Sequence, residues 1–192
     1  MKNLFRLFAI IIIGSSLSSC GYNGLVQKRE AVNAQWANVE ASYQRRADLI
    51  PNLVETVKGG GKYEQETLDK VISDRAKATS IHLDVNNLSQ DQIEKFQAAQ
   101  NQLSGSLSRL LVVAEKYPEL QATKGYSELR VELASTEDKV NFERKKFNDM
   151  VNDYNASIQT FPELVTAKMF GFTAKGYFKA DEGTQNAPKV KF

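Results

Sequence analysis

The chain is predicted to be all-α, an antiparallel four-helix bundle with long first and last helices. Apolar residues recur at steps of three and four over most of its length, the signature of packed helix faces. Near the C-terminal end Tyr126, Leu133, Val140, Phe147, Tyr154 and Phe161 follow one another at intervals of seven residues without a miss. No Gly/Ser/Pro-rich linker and no internal repeat divides residues 24–178. A length of 192 residues, with 42% hydrophobic and 25% charged residues, is that of one folded domain.

The first helix is predicted from about Gly24 to Lys58, on Leu25, Val32, Trp36, Val39, Tyr43, Ile50, Leu53 and Val57. That series calls for an apolar residue at position 46 and finds Arg46. Pro51 removes the N–H that would bond the Ala47 carbonyl, so a kink is expected there, but not an end, because the stripe continues in register. Gly59, Gly60 and Gly61 stop the helix.

A second, weaker helix is predicted from about Tyr63 to Thr79, with Thr67, Leu68, Val71, Ile72 and Arg75 facing inward. Residues 80–88 read as a loop carrying the one histidine, His82, as a solvated side chain. Ser89 and Gln92 form a capping-box signal. The third helix follows with Ile93, Phe96, Leu103, Leu107, Leu110, Ala114 and Tyr117, and ends at Pro118. The fourth begins near Lys124, and its seven-residue recurrence implies packing at a shallow, left-handed crossing angle. Phe161 and Pro162 break it, and a short turn over about 163–170 with Phe172, Tyr177 and Phe178 is expected to cap one end. The helical domain thus covers 24–180, and the polar stretch 181–192 reads as a disordered tail.

Residues 1–19 carry Lys2 and Arg6, the apolar run Leu7 to Ile13 and then small residues, the order of a secretory signal peptide. The run is short of the ~20 apolar residues a bilayer span needs. It closes on Leu17, Ser18, Ser19 and Cys20, which resembles the bacterial lipobox. By that resemblance Cys20 becomes the lipid attachment site, bearing a diacylglyceryl thioether and an amide-linked acyl chain such as palmitate, and residues 20–23 form a tether. Two or more chains anchor stably where one is marginal. Gly21 stands where an inner-membrane retention aspartate would, which points to the outer membrane where there are two.

Lys2 and Arg6 leave with the leader, so the 25 basic residues fall to 23 against 23 acidic ones. A neutral mature chain is not the basic surface a nucleic-acid binder uses. One histidine and one cysteine give no His/Cys metal site and no Cys–His pair. There is no Gly-rich phosphate loop and no Ser/His/Asp set, and no Glu-x-x-His motif for a metal within a bundle. No enzymatic activity, metal or cofactor is expected.

Attention falls instead on a polar cluster between helices: Arg45, Arg46, Asp48, Asn52, Glu137, Glu143 and Arg144. Counting up from Leu25 and down from Phe161 sets Arg46 opposite Val140, one turn from Glu143. Arg46 is therefore expected to pair with Glu143, with Asp48, Glu137 and Arg144 as nearby alternatives. An arginine on a buried seam with no carboxylate would cost several kcal/mol. Two roles stay open for the cluster: a network that fixes helix register, or a polar site for a ligand or a partner's side chain.

Arg45 through Lys58 (RRADLIPNLVETVK), with Tyr22 to Val26, Trp36 to Val39, Leu107 to Leu110, Ala114 to Pro118, Asn152 to Asn155, Ala167 to Phe172 and Tyr177–Phe178, resembles the LemA family. The chain departs from the family pattern at Gly60 and at Phe147, where many members have tyrosine, and in carrying a lipobox where the familiar form has a transmembrane anchor. The resemblance implies an all-helical bundle held at a bacterial membrane by its N-terminus, without established enzymatic activity. The expected function is a lipid-anchored envelope scaffold or adaptor, facing out of the cytoplasm and binding another envelope protein. The alternative is a small-ligand sensor or carrier using the polar cluster.

Overall fold

The computed structural model describes the backbone of residues 2–59 and 64–180, with side chains from Gly21 onward within those bounds. The side chains of the leader 1–19 and of Cys20, the glycines Gly60 and Gly61, and the tail 181–192 lie outside the described residues. Among the described residues six α-helices follow in order: α1 (Lys2–Gly59), α2 (Gln65–Ser80), α3 (Gln90–Ala114), α4 (Pro118–Gln121), α5 (Lys124–Gln159) and α6 (Glu163–Phe170), with a 3₁₀ turn at Val85–Asn87. Among the described residues the structure is all-helical, and no helix there is long and apolar enough to cross a membrane.

The first helix runs through positions 20–23 and through Pro51 without ending. Pro51 is tolerated because the helix face it occupies is exposed, while Ala47, Ile50, Leu53, Val54 and Val57 around it are buried. Gln35 with Glu143 and Arg46 with Glu137 set α5 antiparallel to α1, and Gln102 with Asp74 and Gln100 with Ala78 set α3 antiparallel to α2.

Burial follows the predicted stripes with instructive exceptions. Ile72, expected inside, is exposed, and Asp74 takes the buried place on α2. Its Oδ1 accepts from Gln102 at 2.9 Å and Lys70 at 3.0 Å, so the aspartate is covered by partners from two helices. Ser89 is the N-cap of α3, but its hydroxyl makes no capping bond. The first turn of α3 is packed against backbone near Gly176 instead, and Gln90, not Gln92, is the engaged glutamine. Pro118 does not end α3, which stops at Ala114; it opens the short α4. The seven-residue series is buried from Tyr126 to Tyr154, but Phe161 lies beyond the end of α5 and is exposed. Ile158 closes the apolar seam in its place.

The segment after α6 is extended and crosses between α3 and α5. Gly171, in the left-handed region at φ 71°, ends α6 and turns the chain into it. From Lys175 to Lys179 its backbone is held by side-chain amides, each able to donate and accept at once. Asn155 pairs with Lys175 at 2.8 and 2.9 Å, and Asn148 with Phe178 at 2.8 and 2.9 Å. Gln90 pairs with Tyr177 at 3.2 and 2.9 Å, and Gln97 with Lys179 at 2.8 and 3.0 Å. The Gly176 N–H donates to the Leu88 carbonyl at 2.8 Å. Helix side chains thus stand in for a neighbouring strand and satisfy backbone groups that burial would otherwise orphan. Phe178 enters the core against Trp36, Phe96 and Phe147, and this segment is part of the packing as well as its cap.

Candidate functional site

Two apolar cores divide the domain. One gathers Trp36, Phe96, Phe147, Tyr154 and Phe178; the other gathers Ile50, Leu53, Leu68, Leu110 and Leu133. Between them each long helix offers a polar residue or carbonyl, and Arg46, 2% exposed, is the centre of that layer. Its Nη1 donates to Ser104 Oγ at 2.7 Å and Glu137 Oε2 at 2.8 Å. Its Nη2 donates to Gln100 Oε1 at 2.7 Å and to the Gln100 carbonyl at 3.4 Å. Gln100 Nε2 in turn donates to the Ala78 carbonyl on α2 at 3.3 Å. The guanidinium also lies 5.1 Å from the Tyr43 ring centroid, within cation–π range. The Nε of Arg46 is buried with no hydrogen-bond partner.

The expected Arg46–Glu143 pair is corrected. Arg46 pairs with Glu137, one of the alternatives, and Glu143 accepts from Gln35 Nε2 at 2.6 Å and pairs with Lys139 at 2.6 Å. A register set from Phe161 fails because Phe161, exposed beyond the end of α5, does not belong to the seam. Those bonds from Lys139, then from Gln35, hold the Glu143 carboxyl below its ordinary value in spite of burial.

The other candidates do not converge on Arg46. Arg45 is exposed and pairs with Glu132 at 3.1 Å. Asp48 is exposed and accepts from Gln44 at 2.7 Å, and Asn52 is exposed, its carbonyl accepting from Thr56. Arg144 donates to the Lys179 carbonyl at 3.0 Å and lies over the Phe178 ring, so it serves the C-terminal segment.

Gln100 and Ser104 join the layer although they are not among the sequence candidates, and Gln100 carries a signal of its own. The α3 stripe steps by seven from Phe96 to Leu103, and Gln100 fills the vacant apolar position as Arg46 does on α1. A half-open depression of about 340 Å³ lies beside this layer, lined by Arg46, Ser104, Leu107, Leu111, Arg130 and Leu133 among others.

These features define an all-helical protein organised on a long first helix, with a guanidinium layer between two apolar cores. The LemA family matches over residues 35–192, and the chain belongs to that family. It is similar to Protein LemA of Metamycoplasma hominis, 25% identical over 183 residues, covering 94% of this chain and 80% of that one. It is also similar to Magnetosome protein MamQ of Magnetospirillum gryphiswaldense, 26% identical over 174 residues and 82% of this chain. The chain spans 64% of that relative's length, and the same share of Magnetosome protein MamQ 2 of Paramagnetospirillum magneticum.

Proposed function

We propose that this is a non-enzymatic bacterial envelope lipoprotein, anchored through Cys20, whose long helices form an antiparallel four-helix bundle that acts as a protein-interaction scaffold or adaptor. The observation that carries the reading is the pairing of Arg46 within the chain. Both terminal nitrogens of Arg46 are taken up by Ser104, Gln100 and Glu137 from within the chain. A guanidinium so occupied fixes the register of the helices and leaves the outer faces as the working part. The mature N-terminus would hold the domain at the membrane, outside the cytoplasm.

The test is in-cell crosslinking followed by purification through a C-terminal tag, comparing wild type with Cys20→Ala. One dominant membrane partner, lost in the variant, is the expected result. No partner above background would sink the adaptor reading.

A second reading, a small-ligand carrier, is favoured by the half-open depression that Arg46, Ser104 and Arg130 line. It predicts that a bound polar ligand raises the melting temperature of wild type but not of Ser104→Leu.

A further inference from the structure

Hydrophobic side chains on α6 point the wrong way for a helix that only packs. Its inner residues Thr166 and Ala167 are small, and it is Val165, Met169 and Phe170 that stand outward, 52, 72 and 57% exposed. Phe161, in the turn just before, is 80% exposed. Of the nine large hydrophobic side chains exposed among the described residues, these four and Tyr22 lie at one end. The remaining four are dispersed over α2, α3 and α5, and one of them, Phe142, lies against the Lys139 ammonium. Contiguous exposed apolar surface marks a contact, whereas single residues do not.

The position of the patch says what covers it. The Tyr22 ring meets Phe170 at 4.8 Å and Phe172 at 5.8 Å. A Cβ on Gly21 would lie 3.4 Å from Thr166 Oγ1. The helix α6 is therefore fixed against the first turn of α1 after Cys20. With an acylated Cys20 as the anchor, the bilayer would begin at that turn.

We propose that α6, with Phe161 and Tyr22, is a second membrane contact that lays Val165, Met169 and Phe170 into the headgroup–acyl boundary. Apolar side chains laid into that boundary bind lipid in proportion to the area they bury, and aromatic side chains favour that depth. The exposed Lys168 on the same helix suits anionic headgroups. With one contact at the N-terminus and another on α6, the domain has a fixed stance on the membrane. The inference rests on the anchored reading above.

The experiment uses the full lipidated chain reconstituted into phosphatidylcholine–phosphatidylglycerol vesicles, with or without bromine on the acyl chains. Met169→Trp and Val112→Trp place an indole on α6 and on α3, and Trp36, buried, is a constant background. Brominated lipid is expected to quench the indole at 169 severalfold more than the one at 112. Equal quenching at the two positions overturns the proposal. Blue-shifted emission at 169 without quenching also overturns it, and assigns the face to a contact between copies of the chain. Flotation of the same vesicles separates the two readings. A chain that does not float brings down the anchor and this inference together. A chain that floats with position 169 unquenched brings down this inference alone.

Discussion

Arg75 on α2 donates its Nε–H to the backbone carbonyl of Ala47 on α1 at 2.7 Å. That carbonyl is the one Pro51 leaves without its helical partner, since proline has no N–H to return four residues back. Ala47 is 2% exposed, so water cannot easily make up the loss. The proline in the middle of α1 and the arginine on α2 are therefore one device. A local defect in the first helix becomes a specific attachment for the second.

Arg75→Met is expected to cost about 1–3 kcal/mol, the usual penalty for leaving a buried polar group unpaired. In a Pro51→Ala background, where residue 51 regains its N–H, the same change should cost measurably less. Urea unfolding of the four proteins gives the coupling directly. A coupling within a few tenths of a kcal/mol of zero would show that Arg75 contributes nothing through Ala47.

Much of the fold was legible because it is written in periods. The stripes on α1, α3 and α5 place Trp36, Leu103 and Val140 inside, where burial finds them. The odd residue on the α1 stripe, Arg46, pointed to the polar layer. Its partners were not legible, because the helix register hung on Phe161. A phenylalanine in step with the series gives no sign that the helix has already ended at Gln159. The amides that clamp the C-terminal segment were equally silent. Gln90, Gln97, Asn148 and Asn155 look like ordinary helix-surface residues until an extended chain lies against them.

The layer around Arg46 allows a sharp comparison of two pairs. A double-mutant cycle with Arg46→Met and Glu137→Gln should give a coupling of about 1 kcal/mol or more, since the pair is 2.8 Å apart and the guanidinium is buried. The cycle with Glu143→Gln should couple weakly, because Glu143 is held by Gln35 and Lys139 instead. The reverse order, measured by denaturant unfolding, would return the register to the one counted from Phe161. Arg46→Met alone should destabilise strongly, leaving the Gln100 and Ser104 acceptors without their donor.

At Gly176 the requirement is space. A Cβ there would come 2.6 Å from Gln90 Cα and 2.8 Å from Gln90 N, both backbone atoms that cannot step aside. Gly176→Ala is expected to cost about 1–3 kcal/mol, like other insertions into close-packed sites. Phe178→Ala should cost about 3–5 kcal/mol, as it removes a ring from among Trp36, Phe96 and Phe147. Hydrogen exchange adds a readout specific to the segment. In either variant the amide protons of residues 175–179 should exchange faster than those of α1. Uniform loss of protection would mean that the segment is not a separable unit of packing.

Glu143 makes the domain sensitive to acid, with a sign that can be worked out. Its carboxyl is held below the ordinary 4.5 in the fold, first by Lys139 and then by Gln35. Below 4.5 the unfolded chain therefore takes up the proton more readily than the folded one. The stabilisation is complete above the unfolded value and is lost as pH falls through the lower, folded one. Glu143→Gln removes the charge-assisted bonds and should cost about 1–3 kcal/mol at neutral pH. The gap between variant and wild type should then narrow as pH falls below 4.5. Glu94, lowered through Lys179 and then Gln90, keeps part of the acid slope in both proteins. Urea unfolding followed by circular dichroism from about pH 7 to about pH 3 measures the gap. A gap that stays constant over that range would mean that the carboxylate charge of Glu143 adds nothing to the buried pairing with Gln35.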